Sequence, residues 1–216
     1  MKGSLTELRL AAGAMAILAG ATSLMVIVPW LLTDKAHPVG TGLKPYTLQE
    51  LRGRQQYIAN GCVYCHSQQP RDPGLGPDVA RGWGRPSVAL DYYYDSPHLL
   101  GTMRTGPDLM NIGARQPSRD WQLGHLYQPR AYVDGSIMPA YPFLFRLKRP
   151  EEVAPDDVVL NLPPAFAPGA SKVVATPEAL DLVAYLLALD RTYPVVPRPA
   201  PAASAAESQA AAGGAR

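Results

Sequence analysis

The stretch NGCVYCHSQQPR, residues 60–71, decides the fold, because it contains the only two cysteines of the 216-residue chain. Cys62 and Cys65 are three positions apart, and His66 directly follows the second cysteine. A Cys-x-x-Cys pair occurs in three kinds of site: half of a zinc site, a thiol redox pair, or the covalent attachment point of a haem. The rest of the sequence has to distinguish them.

Two of these interpretations find little support elsewhere in the chain. A structural zinc site normally takes four protein ligands, often as two pairs. There is no second cysteine pair, and a site that adds His98 and His125 lacks paired spacing; His37 is likewise isolated. A thioredoxin-type pair belongs to an alternating strand and helix pattern, which this chain does not show.

The haem interpretation uses all three residues of the motif. Two cysteines at this spacing can bond both vinyl groups of one porphyrin, and the next histidine is then held against the iron as an axial ligand. Cys-x-x-Cys-His is the attachment signature of c-type haem. It also leaves no cysteine over. We therefore predict one covalently bound haem c at Cys62, Cys65 and His66.

A second axial ligand must come from further along the chain. The candidates are Met103, Met110, Met138, His98 and His125. Met138 stands out in GSIMPAYP, residues 135–142, where prolines fix the loop and Gly135 lets it turn. A thioether ligand favours ferrous iron and raises the reduction potential. The alternative role of Met138 is core filling. We predict ligation by Met138, with Met103 as the weaker alternative and Met110 packed beneath the ring.

The N-terminal region carries a long apolar stretch. Residues 10–32 contain no charge, and as a helix they would reach roughly 34 Å, enough for a hydrocarbon core of ~30 Å. Arg9 and the pair Asp34–Lys35 bracket the stretch, and Trp30 suits a membrane interface. A cleaved signal peptide is the alternative, since Ala19–Ala21 resembles a cleavage site. Because apolar sequence continues beyond that point, we expect an uncleaved anchor.

The remaining sequence predicts a mainly α, loop-rich domain. The chain has 23 prolines, about twice the usual ~5 %, and proline serves regular sheets poorly. A capping box at Thr47 and Glu50 begins a helix to Asn60. Its approximate apolar stripe comprises Leu48, Leu51, Gln55 and Ile58. Further helices are predicted over residues 118–127, capped by Ser118, and over Pro177–Leu189, capped by Thr176, with loops over residues 67–118.

These elements divide the chain into four parts. They are an anchor at residues 1–35, a linker at 36–46, a haem domain at 47–193 and a disordered Pro/Ala-rich tail at 194–216. The net charge of +2, with no run of lysine or arginine, argues against nucleic acid as a partner.

Several segments resemble a known family. RTGPDLMNIGAR, residues 104–115, resembles the glycine–proline element of class I cytochromes c. Together with GCVYCHSQ, HLYQPR and SIMPAYP, in this order behind one anchor, it is similar to the mono-haem subunit II of cbb3-type cytochrome c oxidases. The stretch between His66 and Arg104 departs from the commoner form of that subunit, which identifies a divergent branch and affects the partner contacts more than the haem site.

The resemblance implies a class I cytochrome c domain behind a single transmembrane helix. It implies thioether bonds at Cys62 and Cys65 and axial ligation by His66 and Met138. The backbone carbonyl of Pro107 would accept a hydrogen bond from the other ring nitrogen of His66. The first helix of the domain, through Gly53 and Tyr57, would cross the last helix near Tyr185.

The resemblance also implies a function. The subunit would pass electrons to the haem–copper catalytic subunit of a terminal oxidase that reduces oxygen to water, alongside other cytochrome c subunits, without being catalytic alone. Its haem domain would lie on the periplasmic face of the bacterial cytoplasmic membrane. The alternatives are the cytochrome c subunit of a nitric oxide reductase, a free-standing membrane-anchored electron shuttle and a zinc-dependent binding module.

The two haem propionates would need partners, because burying an unpaired charge is costly. Arg71, Arg104 and Arg115 are candidates, although each could equally be a solvated surface arginine. Trp83 and Trp121 could donate an indole N–H, with core or interface packing as the alternative.

Overall fold

The computed structural model describes residues 2–32 and 42–195, with side chains from residue 6 onward. The chain forms two compact units, Met1–His37 and Pro38–Arg216. The first contains the apolar N-terminal sequence, and the second contains the Cys-x-x-Cys-His motif.

The first unit contains a continuous helix. It consists of α1 (Lys2–Thr22), a π-helical turn (Ser23–Ile27) and α2 (Val28–Leu32). Pro29 cannot donate to the carbonyl four residues earlier, and π-helical turns commonly accompany such local irregularities. The segment Thr6–Leu32 is long and apolar enough to cross a membrane, and its side chains are exposed. The predicted apolar helix over residues 10–32 is therefore confirmed as a helix.

The described part of the second unit is mainly helical. Its α-helices are α3 (Leu48–Ala59), α4 (Ile112–Arg115), α5 (Arg119–Tyr127) and α6 (Pro177–Ala188). Short 3₁₀ turns lie at Cys62–Tyr64, Ala89–Tyr92, Pro129–Ala131, Pro142–Leu144, Pro150–Glu152 and Pro164–Phe166. The three predicted helices are confirmed within one or two residues at each end. Residues 67–118 contain mainly turns and short helical fragments, as predicted.

Side-chain caps begin three of these helices where the sequence predicted them. The Thr47 hydroxyl accepts from the Glu50 amide at 3.3 Å, and the Glu50 carboxylate accepts from the Thr47 amide at 2.7 Å. The Ser118 hydroxyl accepts from the Trp121 amide at 3.2 Å, and Thr176 caps α6 in the same way. Each cap pairs a helix-end N–H group that has no partner within the helix.

Helices α3 and α6 cross at Gly53. A Cβ atom at this position would lie 1.8 Å from the Asp181 carbonyl oxygen, so only glycine allows the two backbones to approach this closely. One turn further on, the rings of Tyr57 and Tyr185 meet edge to face with 5.5 Å between their centroids. Both side chains are completely buried. The helix crossing that the resemblance implied is present.

The predicted buried face of α3 was wrong. The apolar stripe is exposed, to 77 % at Leu48, 41 % at Leu51 and 41 % at Ile58. The buried residues are instead Gly53, Arg54 and Tyr57. The crossing point is set by a small residue and an aromatic ring, and Arg54 is buried because it pairs with Asp95. A count of aliphatic side chains misses both features.

The structure also contains a small sheet that the sequence did not predict. Strands β1 (Phe145–Lys148) and β2 (Lys172–Ala175) pair antiparallel, with Phe145 opposite Ala175. Neither strand contains a proline, so the prolines of this region lie in the connections rather than in the ladder. The sheet contributes Phe145, Val173 and Ala175 to the hydrophobic core.

The predicted linker and tail are only partly described. Residues 33–41 and 196–216 lie outside the described residues. At the described end of the linker, Leu43 is buried, and the Tyr46 ring lies 5.7 Å from that of Tyr185. Residues 42–46 therefore pack against the domain.

Candidate functional site

The end of α3 leads into the Cys-x-x-Cys-His turn. Gly61 takes a left-handed conformation, with φ of +69°, and a 3₁₀ turn follows at Cys62–Tyr64. The amides of Cys65 and His66 both donate to the Cys62 carbonyl, at 3.1 and 3.0 Å. This turn brings all three residues of the motif to the wall of one cavity.

The cavity has a volume of about 400 Å³, within the ~300–1,000 Å³ usual for cofactor and ligand sites. Its lining is mostly apolar and includes Leu109, Ile112, Leu126, Val133, Ile137 and Leu186. Besides the motif, the lining contains Met138. No disulfide joins Cys62 and Cys65, and burial raises the pKa of the Cys62 thiol to about 11. The structure thus brings two thiols, an imidazole and a thioether into one apolar cavity.

The imidazole of His66 is held by a backbone contact. Its Nδ1 lies 2.8 Å from the Pro107 carbonyl oxygen. A carbonyl only accepts, so Nδ1 carries the hydrogen and Nε2 keeps the lone pair that a metal ion requires. Burial lowers the pKa of His66 below its ordinary value, although the Pro107 carbonyl and Asp108 oppose this. A neutral ring in this tautomer is the form that coordinates a metal.

Gly106 provides the space for this ring. A Cβ atom at residue 106 would lie 2.2 Å from Cε1 of His66, a distance that side chains do not tolerate. The Gly106 amide also donates to the Cys65 carbonyl at 2.9 Å. Sequence reasoning did not assign a role to this glycine, although it directly precedes Pro107 in the TGPDL segment.

Met138 lies in the turn that follows Gly135, which has a φ of +67°. The Met138 side chain is partly buried and packs against the hydrophobic core. Met103, the weaker candidate, is 58 % exposed, whereas Met110 is buried in a different place. Among the methionines that the structure describes, only Met138 lines the cavity.

This set of residues corresponds to a known family. A family model for the mono-haem subunit of cytochrome c oxidase, FixO, matches residues 6–161, well over half of the chain. The chain belongs to this family. Membership implies a haem cofactor, a part in electron transfer and association with other oxidase subunits. Comparison with curated proteins gave no match.

The cavity fits the haem of the FixO family. Its lining supplies thiols for the porphyrin edge and nitrogen and sulfur donors for iron, surrounded by apolar side chains. Gly106 keeps open the space beside the His66 ring. Among residues 2–32 and 42–195, no three His, Cys, Asp or Glu side chains form a group suited to a metal ion alone.

The two histidines of the alternative zinc site lie in different surroundings. His125 lines the cavity and stacks on Trp121, with ring centroids 4.5 Å apart and planes 8° from parallel. His98 is exposed, packs edge to face on Tyr92 and does not line the cavity. The Nδ1 atom of His125 is buried and has no hydrogen-bond partner among the described residues.

Arg104 and Arg71 do not line the cavity of this FixO chain. The Arg104 guanidinium donates to Asp78 at 2.6 Å, to the Gln69 carbonyl at 2.7 Å and to the Ser67 hydroxyl at 2.8 Å. The side chain of Arg71 lies at an exposed position. Each nitrogen of the Arg104 guanidinium therefore already has an acceptor within the protein.

Arg115 differs from these two arginines. Its Nη2 donates to the Asp108 carbonyl, and its Nε is buried with no partner in residues 2–32 and 42–195. Burial lowers the pKa of the Arg115 guanidinium below its ordinary value. Of the three predicted propionate arginines, Arg115 alone has a buried donor left unused, although it does not belong to the cavity lining.

The two candidate tryptophans lie in different parts of the domain. Trp121 lines the cavity. Trp83 is buried elsewhere, with the guanidinium groups of Arg81 and Arg104 at 5.0 and 5.3 Å from its ring centroid. Trp83 therefore has a packing role, and Trp121 remains the tryptophan that could contact a cofactor.

Asp108 joins the two loops that position His66. Its carboxylate accepts from the Ser67 hydroxyl at 2.6 Å, from the Gln69 amide at 2.7 Å and from the Met110 amide at 2.9 Å. The first two donors follow His66, and the third follows Pro107. Sequence reasoning assigned no role to this buried aspartate, because its partners are identified only by the folded chain.

Proposed function

We propose that this chain is the membrane-anchored cytochrome c subunit of a cbb3-type terminal oxidase and passes electrons to the haem–copper catalytic subunit. The observation that carries the proposal is that Cys62, Cys65, His66 and Met138 line one cavity. Oxygen is reduced to water in the catalytic subunit, and this chain is not catalytic alone.

Four side chains perform the binding in this proposal. Cys62 and Cys65 would hold a haem c covalently through their sulfurs, and His66 and Met138 would be the protein ligands of its iron. The bound haem supplies one-electron chemistry between ferric and ferrous iron. Because the protein would supply both a nitrogen and a sulfur ligand to the iron, the site would transfer electrons rather than bind a substrate.

The surroundings of His66 and Met138 suit each of them to bind iron. The Pro107 carbonyl fixes the His66 ring and increases its basicity, as such contacts do for metal-bound histidines. Met138 offers a soft thioether in a partly apolar environment, which favours ferrous iron and raises the reduction potential. Arg115 and Trp121 remain the candidates for the haem carboxylates.

The N-terminal helix has a physical role in this scheme. Thr6–Leu32 anchors the chain in the bacterial cytoplasmic membrane, with the haem domain, residues 47–193, on the periplasmic side. An anchored domain meets its partner at a high effective concentration instead of by free diffusion. This arrangement suits a dedicated subunit better than a soluble carrier.

Co-purification tests the proposed assembly. The protein solubilised in mild detergent is expected to co-purify with a large haem–copper subunit that consumes oxygen. Recovery of the protein alone, with its full haem content, would favour a free-standing shuttle. Recovery with a subunit that reduces nitric oxide would assign the chain to a nitric oxide reductase.

The substitution Met138→Ala tests the axial ligand. Loss of the thioether is expected to abolish the sulfur-to-iron charge-transfer band of the ferric protein and to lower the reduction potential, since methionine stabilises ferrous iron. Absorption spectra and a redox titration measure both effects. The matched control is Met103→Ala, at an exposed methionine outside the cavity, which should leave both unchanged. A retained band in Met138→Ala would assign the ligand to another residue.

A further inference from the structure

Asp108 is a buried charged residue that the proposed haem ligation does not use. Its side chain is completely buried, and it follows Pro107, whose carbonyl oxygen lies 2.8 Å from Nδ1 of His66. Pro107 and Leu109 both line the cavity, whereas Asp108 between them does not. The carboxylate is therefore separated from the cavity by protein, next in the chain to the peptide group that holds the His66 ring.

We propose that Asp108 is a positioning residue that acts through His66: its carboxylate fixes the loop that carries the Pro107 carbonyl, and its negative charge favours the ferric state of the haem. This inference rests on the proposed function, because it assumes that His66 binds haem iron. It requires no contact between Asp108 and the haem.

Three hydrogen bonds hold the Asp108 carboxylate between two loops. It accepts from the Ser67 hydroxyl at 2.6 Å and from the Gln69 amide at 2.7 Å, and both donors lie just after His66. It also accepts from the Met110 amide at 2.9 Å. A buried carboxylate requires such donors, because burying it without partners is costly. One carboxylate thus ties the loop that follows His66 to the loop that positions its ring.

The negative charge of Asp108 is only partly compensated by its neighbours. The Arg104 guanidinium lies 3.7 Å from the Asp108 carboxylate, but it donates to Asp78 at 2.6 Å, so one positive charge serves two carboxylates. Arg115 donates to the backbone carbonyl of Asp108 rather than to its carboxylate. Because charges interact more strongly in the protein interior than in water, the remaining negative charge acts on the nearby His66.

The expected consequence is a lower reduction potential than His66 and Met138 alone would give. Ferric iron carries one more positive charge than ferrous iron, so a negative charge close to its histidine ligand favours the ferric state. The contact between Nδ1 of His66 and the Pro107 carbonyl acts in the same direction, because it makes the imidazole more basic. Loss of the Asp108 charge should therefore raise the potential without removing an iron ligand.

Two variants of the full-length, haem-loaded protein in detergent separate charge from loop position. Asp108→Asn keeps the shape of the side chain and an oxygen that can accept from Ser67 and Gln69, but it removes the negative charge. A redox titration should show the equilibrium constant for reduction rising about tenfold, which is about 59 mV for one electron. Arg104→Leu disturbs the same loops, because Arg104 donates to the Ser67 hydroxyl and the Gln69 carbonyl. It leaves the Asp108 charge without its neighbouring cation, so the potential should fall.

Asp156→Asn is the matched control for net charge. Asp156 is exposed and does not line the cavity, and the substitution removes one negative charge as Asp108→Asn does. Water and salt screen an exposed charge, so the potential of this variant should equal that of the wild type.

Several outcomes would overturn the inference. An unchanged potential in Asp108→Asn means that the charge does not act on the haem. Shifts of the same sign in Asp108→Asn and Arg104→Leu mean that loosened loops, rather than charge, change the potential. Loss of the sulfur-to-iron band in Asp108→Asn means that the substitution displaces a ligand. If Asp108→Asn does not retain haem, Arg104→Leu decides, and a potential equal to or above that of the wild type contradicts the proposed charge effect.

A separate measurement distinguishes failure of this inference from failure of the proposed function. The pyridine haemochrome spectrum of the wild-type protein reports covalently bound haem. If the c-type signal is absent, the proposed function fails. If the signal is present and the potential does not respond to Asp108→Asn, only the role of Asp108 is wrong.

Discussion

The double substitution Cys62→Ser and Cys65→Ser is expected to remove all covalently bound haem. A serine hydroxyl cannot replace the thiol in the thioether bond, and these are the only cysteines of the chain. Haem staining after denaturing electrophoresis should therefore show no haem on the polypeptide. The pyridine haemochrome spectrum of the acid–acetone pellet provides the same test on a quantitative scale.

The single substitutions test the contribution of each cysteine separately. Cys62 is partly buried and packs against the hydrophobic core, whereas Cys65 is exposed. Each single variant should retain one thioether bond, so its haemochrome band should shift toward that of a haem with a free vinyl group. Cys62→Ser should also weaken the fold more than Cys65→Ser, because it places a hydroxyl against the core.

Tyr64→Ser is the matched control for the attachment turn. Tyr64 lies between the two cysteines, and its side chain is 73 % exposed. The substitution changes the same turn without touching a thiol, so the covalent haem content should remain at the wild-type level. Covalent haem that persists in the double cysteine variant would contradict attachment at these positions.

The sequence identified the parts of the fold that depend on local signals. The caps at Thr47, Ser118 and Thr176 act over three residues, and they placed the starts of α3, α5 and α6 correctly. The buried face of the last helix also follows a local pattern, because Leu182, Tyr185, Leu186 and the following Leu189 recur at helical spacing and are all buried. These features depend on neighbours within one or two turns of the same helix.

The buried face of α3 could not be predicted in the same way. It depends on Gly53, whose lack of a side chain admits the backbone of α6, and on Arg54, which is buried because Asp95 neutralises it. Neither residue is recognised by a count of apolar side chains. The partners lie 128 and 41 positions away in the sequence, and only the tertiary structure brings them together.

Residues 68–101, where the sequence departs from the commoner form of the family, also contain tertiary contacts that the sequence did not predict. The sequence predicted loops here, and the structure adds buried ion pairs that hold them. Asp91 pairs with Arg85 and accepts from the Tyr193 hydroxyl at 2.5 Å, while Asp95 lies beside Arg54 and Arg191. These pairs join the segment to α3 and to the end of α6.

The candidate site likewise combines residues that the sequence identified with contacts that it did not. The Cys-x-x-Cys-His motif is contiguous, and Met138 could be selected by the character of its loop. The structure places these four residues on the wall of one cavity. The sequence did not indicate that Gly106 lies against the His66 ring or that His125 stacks on Trp121. Both contacts form only in the folded chain.

Arg104→Leu is the second substitution with a large expected effect. The guanidinium forms an ion pair with Asp78 at 2.6 Å and lies 3.7 Å from Asp108, and both carboxylates are completely buried. Removing one partner of a buried ion pair costs about 3–5 kcal/mol, because the remaining charge is left without compensation. The free energy of unfolding of the full-length protein in detergent, from a urea titration followed by tryptophan fluorescence, should fall by about this amount.

Two controls separate charge from packing. Arg149→Leu removes an arginine whose ion pair with Glu152 is exposed, so stability should hardly change. The double variant Arg104→Leu and Asp78→Asn removes the uncompensated charge at residue 78, and it should recover part of the stability that Arg104→Leu loses. No recovery would mean that the lost contact between Arg104 and the Trp83 ring accounts for the effect.

The pH dependence provides an independent test of the same ion pair. Burial acts to raise the pKa of Asp78, but the hydrogen bonds from Arg104 and from the Arg71 amide hold it below its ordinary value. In the wild type this stabilisation is present above the unfolded pKa of about 3.9 and is lost as the pH falls through the lower folded value. In Arg104→Leu, burial dominates and Asp78 binds a proton more readily. The stability difference between the two proteins should therefore narrow as the pH falls from 7 to about 4. A difference that stays constant over this range would assign the loss to packing rather than to the buried carboxylate.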